Sequence, residues 1–387
     1  MMRLADLIAQ FEPELLQRHG HRMLPSHHQA LAALKTCRSR FAAQMLASCE
    51  GCHTQAAAPH SCGHRACPHC QHHDSALWLQ RQLQALVPAT YFLVTFTLPA
   101  QLRHLAWGHQ RVVYALLMQC AWDTLKTFSL NDKQLAGTPG AVAVLHTHSR
   151  ALGFHPHVHV CMPGAALNTQ QRLWRTKVHR GKLPGSDQVA RGGYLFNHKA
   201  LAKVFAAKFQ AAVIQAGLCL PANLPTAWVV DCKAVGDGQA TLGYLARYLY
   251  RGVIAERDIL RCKDGLVTYR WRDAQTGKSV TRTLPGVDFL WLLLQHVLPK
   301  GLQRARNFGF LHHNSLRALR LLQLTHLTPK PSQAPTQPPP TRPIWRCACG
   351  GVMRIVRRRM RPDQVTPCAA PHTVRPDKIR PQEASRH

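Results

Sequence analysis

The stretch Phe154-His155-Pro156-His157-Val158-His159-Val160 decides how this chain is read. Side chains alternate faces along a β-strand, so residues 155, 157 and 159 share one face while Phe154, Val158 and Val160 take the other. A His-Val-His pair on a strand holds a divalent metal compactly, because both rings project the same way from adjacent rungs. Residues 141–148 read as a partner strand and carry two more imidazoles, His146 and His148. If the two strands pair as an antiparallel hairpin with His148 facing His155, then His146 faces His157 and Val144 faces His159. That register gathers the histidines on one surface, and a one-residue slip would undo it. Two imidazoles alone make a weak site, so a third ligand is required; His146 is the first choice and His155 the second. Mg²⁺ or Mn²⁺ can be held by two or three protein groups, with water completing the shell. The bland alternative is a chain that is simply His-rich, with 25 histidines. Regular alternation on an apolar strand is not the pattern of scattered surface histidine.

Outward from this hairpin, residues 91–97 (YFLVTFT) are β-branched and aromatic and stop at Leu98-Pro99, as a buried strand does. Helical spacing covers residues 1 to about 36, with Pro13 expected to break it, and recurs over 75–86, 101–128, 199–216 and 241–251. Residues 228–233 read as a strand, 266–271 and 279–284 as a hairpin, and 289–297 as an apolar helix. Residues 329–343 are proline-rich and extended. The fold class expected is α+β: a central antiparallel sheet flanked by helices, preceded by a small helical, zinc-ribbon-like module. The divisions expected are a Cys/His-rich N-terminal domain at 1–88, a central domain at 89–327, a linker at 328–343, and a basic, disordered tail at 344–387.

Charge narrows the partner. Over 387 residues, 49 Lys+Arg oppose 18 Asp+Glu, a formal net charge of +31. Such a field attracts a polyanion, and nucleic acid is the commonest one. No uninterrupted apolar run of about 18 residues argues for a membrane span, and the N-terminus lacks the pattern of a secretory signal. Six of the 14 cysteines lie between Cys37 and Cys70. Clustered CxxC pairs in a chain without an export signal point to metal rather than disulfides, and fit a reducing cytoplasm.

Cys49-x2-Cys52 is followed by Cys67-x2-Cys70, with 14 residues between the two pairs. Each CxxC knuckle presents two thiolates, and two knuckles complete a tetrahedral structural zinc site. Gly51, Gly63 and Pro68 supply turn chemistry, so chance cysteines in a helical core are a poor alternative. Cys62 and His64 are spare ligand candidates. Arg65 is placed to face nucleic acid. The tail carries Cys347-x-Cys349, a second knuckle that only Cys368 and His372 stand near enough in sequence to complete.

The third constellation is Gly243-Tyr244-Leu245-Ala246-Arg247-Tyr248-Leu249-Tyr250-Arg251. Tyr244 and Tyr248 are four apart, hence on one helix face. Alone this spacing is ordinary packing. Beside a metal, a phenolic oxygen is a competent nucleophile toward phosphorus. Two tyrosines allow two cleavages and one exchange, and Arg247 and Arg251 are suited to flanking phosphates.

Taken together, these motifs resemble the two-tyrosine, rolling-circle insertion-sequence transposases, within the superfamily of His-hydrophobe-His single-strand endonucleases. The resemblance rests on residues 61–71 (SCGHRACPHCQ), 94–99 (VTFTLP), 145–147 (LHT), the HPHVH at 155–159 and the YxxxY at 244–248, and it covers about 20–325. It implies His157 and His159 as the metal pair, His146 as third ligand, and Tyr244 and Tyr248 as nucleophiles. The implied activity is cutting one DNA strand at an element end, attaching to its 5′ phosphate and transferring it to a target. It also implies a bacterial cytoplasmic protein, on the nucleoid when bound. His148 departs from the pattern, where an aromatic residue is expected, and Tyr250 is an extra tyrosine. A plasmid replication initiator or relaxase would use the same chemistry, and a non-catalytic zinc-dependent DNA-binding protein would use none of it.

Overall fold

The computed structural model describes residues 2–39, 41–70, 72–149, 151–168, 170, 173–177, 195–249, 254–273, 276–325 and 345–362. The helices are α1 (Leu4–His19), α2 (Pro25–Thr36), α3 (His72–Gln84), α4 (Arg103–Gly108), α5 (Gln110–Asn131), α6 (His198–Gln215), α7 (Gln239–Leu249), α8 (Gly286–Leu294) and α9 (Leu316–Thr325). The strands are β1 (Gln44–Cys49), β2 (Gln55–Pro59), β3 (Tyr91–Thr97), β4 (Thr138–His148), β5 (Phe154–Pro163), β6 (Ala165–Asn168), β7 (Leu173–Thr176), β8 (Val229–Ala234), β9 (Ile259–Lys263), β10 (Leu266–Arg272), β11 (Ser279–Pro285), β12 (Ala305–Gly309) and β13 (Met353–Met360).

The fold is α+β, as expected. Its centre is an antiparallel sheet in the order β7-β6-β4-β5-β3-β8, with β12 also pairing with β4. The histidine strand β5 lies in the middle, between β4 and β3, and its alternation divides two cores. Val158 and Val160, with Ala143, Leu145, Val94 and Phe96, join the apolar faces of α5 and α6. Val142, Val144 and Cys161 point the other way, onto α7 and α9. Both faces of β4 and β5 are therefore covered, which explains the apolar run Ala141–Leu145 of β4 and the buried Val160–Met162 of β5. The histidines occupy the end of the α7-covered face.

A second core is made by α1, α2 and α8 with the β9–β10–β11 sheet. Here α1 runs through Pro13 instead of breaking. The proline lies on the exposed face, so the carbonyl left without an N–H partner can be hydrated, while Leu4, Leu7, Ile8, Phe11 and Leu15 stay buried. Phe11 packs so closely on α8 that a Cβ at Gly286 would fall 2.3 Å from its ring.

The cysteine-rich segment contains the strands β1 and β2, and a third partner arrives from the far end of the chain. β13 pairs antiparallel with β1, Cys49 opposite Met353. The tail was expected to be disordered from 344 on; residues 353–360 are instead a strand, because β1 offers them an edge to pair with. The linker at 328–343, together with Tyr250, Arg251, Cys368 and His372, lies outside the described residues.

Candidate functional site

The β4–β5 register puts His146 opposite His157 and Val144 opposite His159, as the alternation predicts. It breaks beyond that point. His148 pairs with Phe154, not His155, because a bulge intervenes after His146. The break separates His155 from the other imidazoles. One ring nitrogen from each of His146, His157 and His159 lies within 4.8 Å of the others. His155 is not in this group. Its Nδ1 accepts from the Arg103 guanidinium at 3.4 Å. His148 lies against His296 at a tilt, with ring centroids 5.0 Å apart.

The trio is oriented from behind. His157 Nδ1–H donates to its neighbour His155's carbonyl at 2.7 Å, which leaves Nε2 as the lone-pair nitrogen. Thr95 Oγ1 on β3 lies 2.9 Å from His159 Nδ1 and holds that edge of the ring. His146 Nε2 is buried without a hydrogen-bond partner. Burial pushes the His157 imidazole down to about 4 and His159 to about 3, and holds His146 well below its ordinary range. The positive charge of the half-buried Arg304 adds to the effect at His146. All three are neutral at pH 7, the state a metal requires. An orphaned buried nitrogen and two rings turned to expose Nε2 fit a divalent ion; His146, His157 and His159 would hold it.

Helix α7 brings the tyrosines over this trio. Leu242, Leu245 and Leu249 bury one face of the helix against the sheet, and the four-residue spacing stacks Tyr244 and Tyr248 on the neighbouring face. Their ring centroids are 4.8 Å apart. Tyr248 lies 4.7 Å from the His146 ring, and Tyr244 lies 6.1 Å from that of His159. Both open into a cleft of about 870 Å³ whose far wall includes Arg257, Arg270 and Arg272. Arg247 lines it too, exposed, its guanidinium 5.9 Å from the Tyr244 ring centroid. A cleft lined by histidines, phenols and guanidinium groups suits a phosphodiester.

The cysteines sort differently from the sequence expectation. Cys49 and Cys52 do not join Cys67 and Cys70. Two separate groups form, Cys37, Cys62, Cys67 and Cys70 in one, and Cys49, Cys52, Cys347 and Cys349 in the other. The first knuckle sits at the β1–β2 turn, and β2 with the segment after it separates it from the second. In the first group Cys37 Sγ is 3.5 Å from both Cys67 and Cys70, and Cys62 is 3.8 Å from Cys70. Four thiolates at about 2.3 Å from a tetrahedral zinc stand about 3.8 Å apart, so the group fits zinc; a disulfide would need about 2 Å. Cys37 had no CxxC partner to mark it. Of the spare candidates Cys62 is a member and His64 is not, its Nδ1 accepting from Ala66 N at 3.2 Å. Arg65, expected on nucleic acid, donates instead to the Leu302 carbonyl at 2.7 Å and docks this module against the sheet domain.

Comparison with known proteins adds a family. Residues 7–98 match the family described as "Transposase zinc-binding domain", and residues 140–318 match "Putative transposase". Neither match includes Cys347 or Cys349. The chain is 28% identical over 360 residues to "Putative transposase y4qJ" of Sinorhizobium fredii, covering 84% of this chain and 87% of that protein. It is 26% identical over 267 residues to the "Transposase for insertion sequence element IS801" of Pseudomonas savastanoi pv. phaseolicola, covering 65% of this chain and 64% of that one. No solved structure matches.

Proposed function

We propose that this chain, which belongs to the IS91/IS801 family of transposases, cuts and rejoins single-stranded DNA at element ends through 5′-phosphotyrosine links, in rolling-circle transposition. The observation that carries the reading is the placement of Tyr244 and Tyr248 on one helix face above His146, His157 and His159.

A tyrosine oxygen attacks the scissile phosphorus, the tyrosyl O–P bond forms, and the bond to the upstream 3′ oxygen breaks. That oxygen leaves as a 3′-hydroxyl, taking up a proton, while the tyrosine releases one. One phosphodiester replaces another, so strand transfer needs no ATP. A Mg²⁺ or Mn²⁺ held by the three histidines would neutralise phosphate charge and polarise the scissile bond. The chain's own residues supply the rest. The histidines stay neutral because they are buried. Arg247 and Arg257 offer guanidinium groups for the flanking phosphates, beside Arg270, which pairs with Asp258, and Arg272, which donates to the Gly277 carbonyl. The second tyrosine allows a second strand to be held while the first is exchanged. Among the described residues no helix is long and apolar enough to cross a membrane, and the charge of +31 favours DNA.

The test is incubation of the protein with labelled single-stranded DNA from an element end and Mn²⁺ or Mg²⁺. A covalent protein–DNA adduct is expected, and it should vanish in the Tyr244→Phe/Tyr248→Phe variant. Absence of an adduct with both metals and both ends would overturn the reading.

A further inference from the structure

We infer that Cys49, Cys52, Cys347 and Cys349 form a second four-thiolate zinc site, one that fastens the C-terminal strand β13 to the N-terminal module. The two halves are remote in sequence but adjacent in space. Cys349 Sγ lies 3.5 Å from Cys49 and 3.4 Å from Cys52, and Cys347 lies 3.5 Å from Cys52. All four sulfurs fall within 4.8 Å of one another. These separations are close to the roughly 3.8 Å of a tetrahedral zinc–thiolate site and far from the roughly 2 Å of a disulfide.

The surrounding backbone has the shape of two knuckles facing each other. On one side, Gly51 N donates to Cys49 Sγ at 3.4 Å and His53 N to the Cys49 carbonyl at 3.1 Å. On the other, Gly350 N donates to the Cys347 carbonyl and Cys347 N to the Gly351 carbonyl, both at 2.9 Å. Gly350 has φ +85°, which a side chain would resist. A Cβ at Gly351 would fall 2.7 Å from Cys49 Sγ, so only glycine lets this turn close onto the sulfurs. Glu50 N donates to the Val352 carbonyl at 3.0 Å, and the Glu50 carboxylate pairs with Arg354, tying the knuckles together next to the metal position. The β1–β13 ladder then continues from Cys49 opposite Met353.

Three of the four thiolates are partly or fully exposed, and the strand they anchor has few buried side chains. Apolar packing therefore contributes little to holding β13, and a metal crosslink is the main device left for it. Once fastened, the strand presents Arg354, Arg357, Arg358 and Arg359 beside the zinc module.

The experiment measures zinc per chain by elemental analysis on the purified full-length protein, with cobalt substitution to read thiolate coordination from the visible spectrum. Two thiolate-bound ions per wild-type chain are expected, counted by the sulfur-to-cobalt charge-transfer band, to which an ion on the histidine trio does not contribute, and one in Cys347→Ser/Cys349→Ser, with that band halved. The control Cys219→Ser, an exposed cysteine outside both groups, should keep two. One thiolate-bound ion per wild-type chain, or two in the double variant, would overturn the proposal; so would a Cys49–Cys349 or Cys52–Cys347 disulfide in the purified protein. Because the wild-type count stands alone, poor folding of the variant cannot hide the answer. Hydrogen exchange gives a second reading: amides of β13 should exchange faster in the double variant while those of β10 and β11 do not change. Equal protection of β13 in both proteins would contradict the fastening role.

Discussion

The ring of Tyr248 lies 4.7 Å from that of His146, whereas Tyr244 stands 6.5 Å from the same ring. The two phenols are therefore not equivalent toward the histidine trio. Tyr248→Phe is expected to slow the first single-strand cleavage by at least about 100-fold. Tyr244→Phe should keep that step and lose the second, rejoining step. Single-turnover gel assays separate the two. Equal loss of first cleavage in both variants would remove the asymmetry.

His146, His157 and His159 bring one ring nitrogen each within 4.8 Å of the others, and His155 is not in this group. Alanine at any of the first three should reduce divalent-ion binding, measured by titration calorimetry, and cleavage together. His155→Ala should leave the metal affinity within a few-fold of wild type. A loss at His155 equal to that at His146 would restore the sequence-based alternative.

Thr95 tests the orientation of a ligand without touching the ion. Its hydroxyl meets His159 Nδ1 at 2.9 Å. Thr95→Val keeps the shape and removes the hydrogen bond, and partners of this kind are worth roughly 10- to 100-fold in metal affinity or activity. The deficit should shrink at high Mn²⁺ concentration. A deficit that metal cannot relieve would point to packing instead.

Much of this was legible in the sequence, and the misses share a cause. Residues 91–97 followed from their β-branched and aromatic run, the β4–β5 pair from local alternation, and the YxxxY spacing placed both tyrosines on one face. What local pattern does not encode is long-range partnership. The pairing of Cys49 and Cys52 with Cys347 and Cys349 spans almost the whole chain, so the nearer pair at 67 and 70 looked like the natural complement. The bulge after His146 shifted His155 out of register by one residue, which no periodicity signals. Arg65 carries a charge that suggests DNA, but its neighbour Leu302 is visible only once the chain is folded.

His27 makes the N-terminal core sensitive to acid. It is fully buried, its Nδ1 accepts from Leu24 N at 3.1 Å, and burial pushes its pKa down to about 4. The unfolded chain binds the proton near 6.5 and the folded chain only near 4, so this contribution is complete above about 6.5 and is lost as pH falls toward 4, at about 1.4 kcal/mol per unit. Thermal unfolding at pH 7.5 and 5.5 should show a larger drop for wild type than for His27→Leu. Identical drops would exclude His27 as the source, since the cysteine and histidine clusters are common to both proteins.

The most direct test asks where the DNA is attached. After cleavage of a single-stranded element end in Mn²⁺ or Mg²⁺, the adduct is digested with nuclease and protease, and the modified peptide is sequenced by mass spectrometry. A 5′-phosphonucleotide on Tyr244 or Tyr248 is the expected result. A nucleotide on another residue, or DNA cleaved at normal rate with no covalent peptide, would contradict the two-tyrosine account.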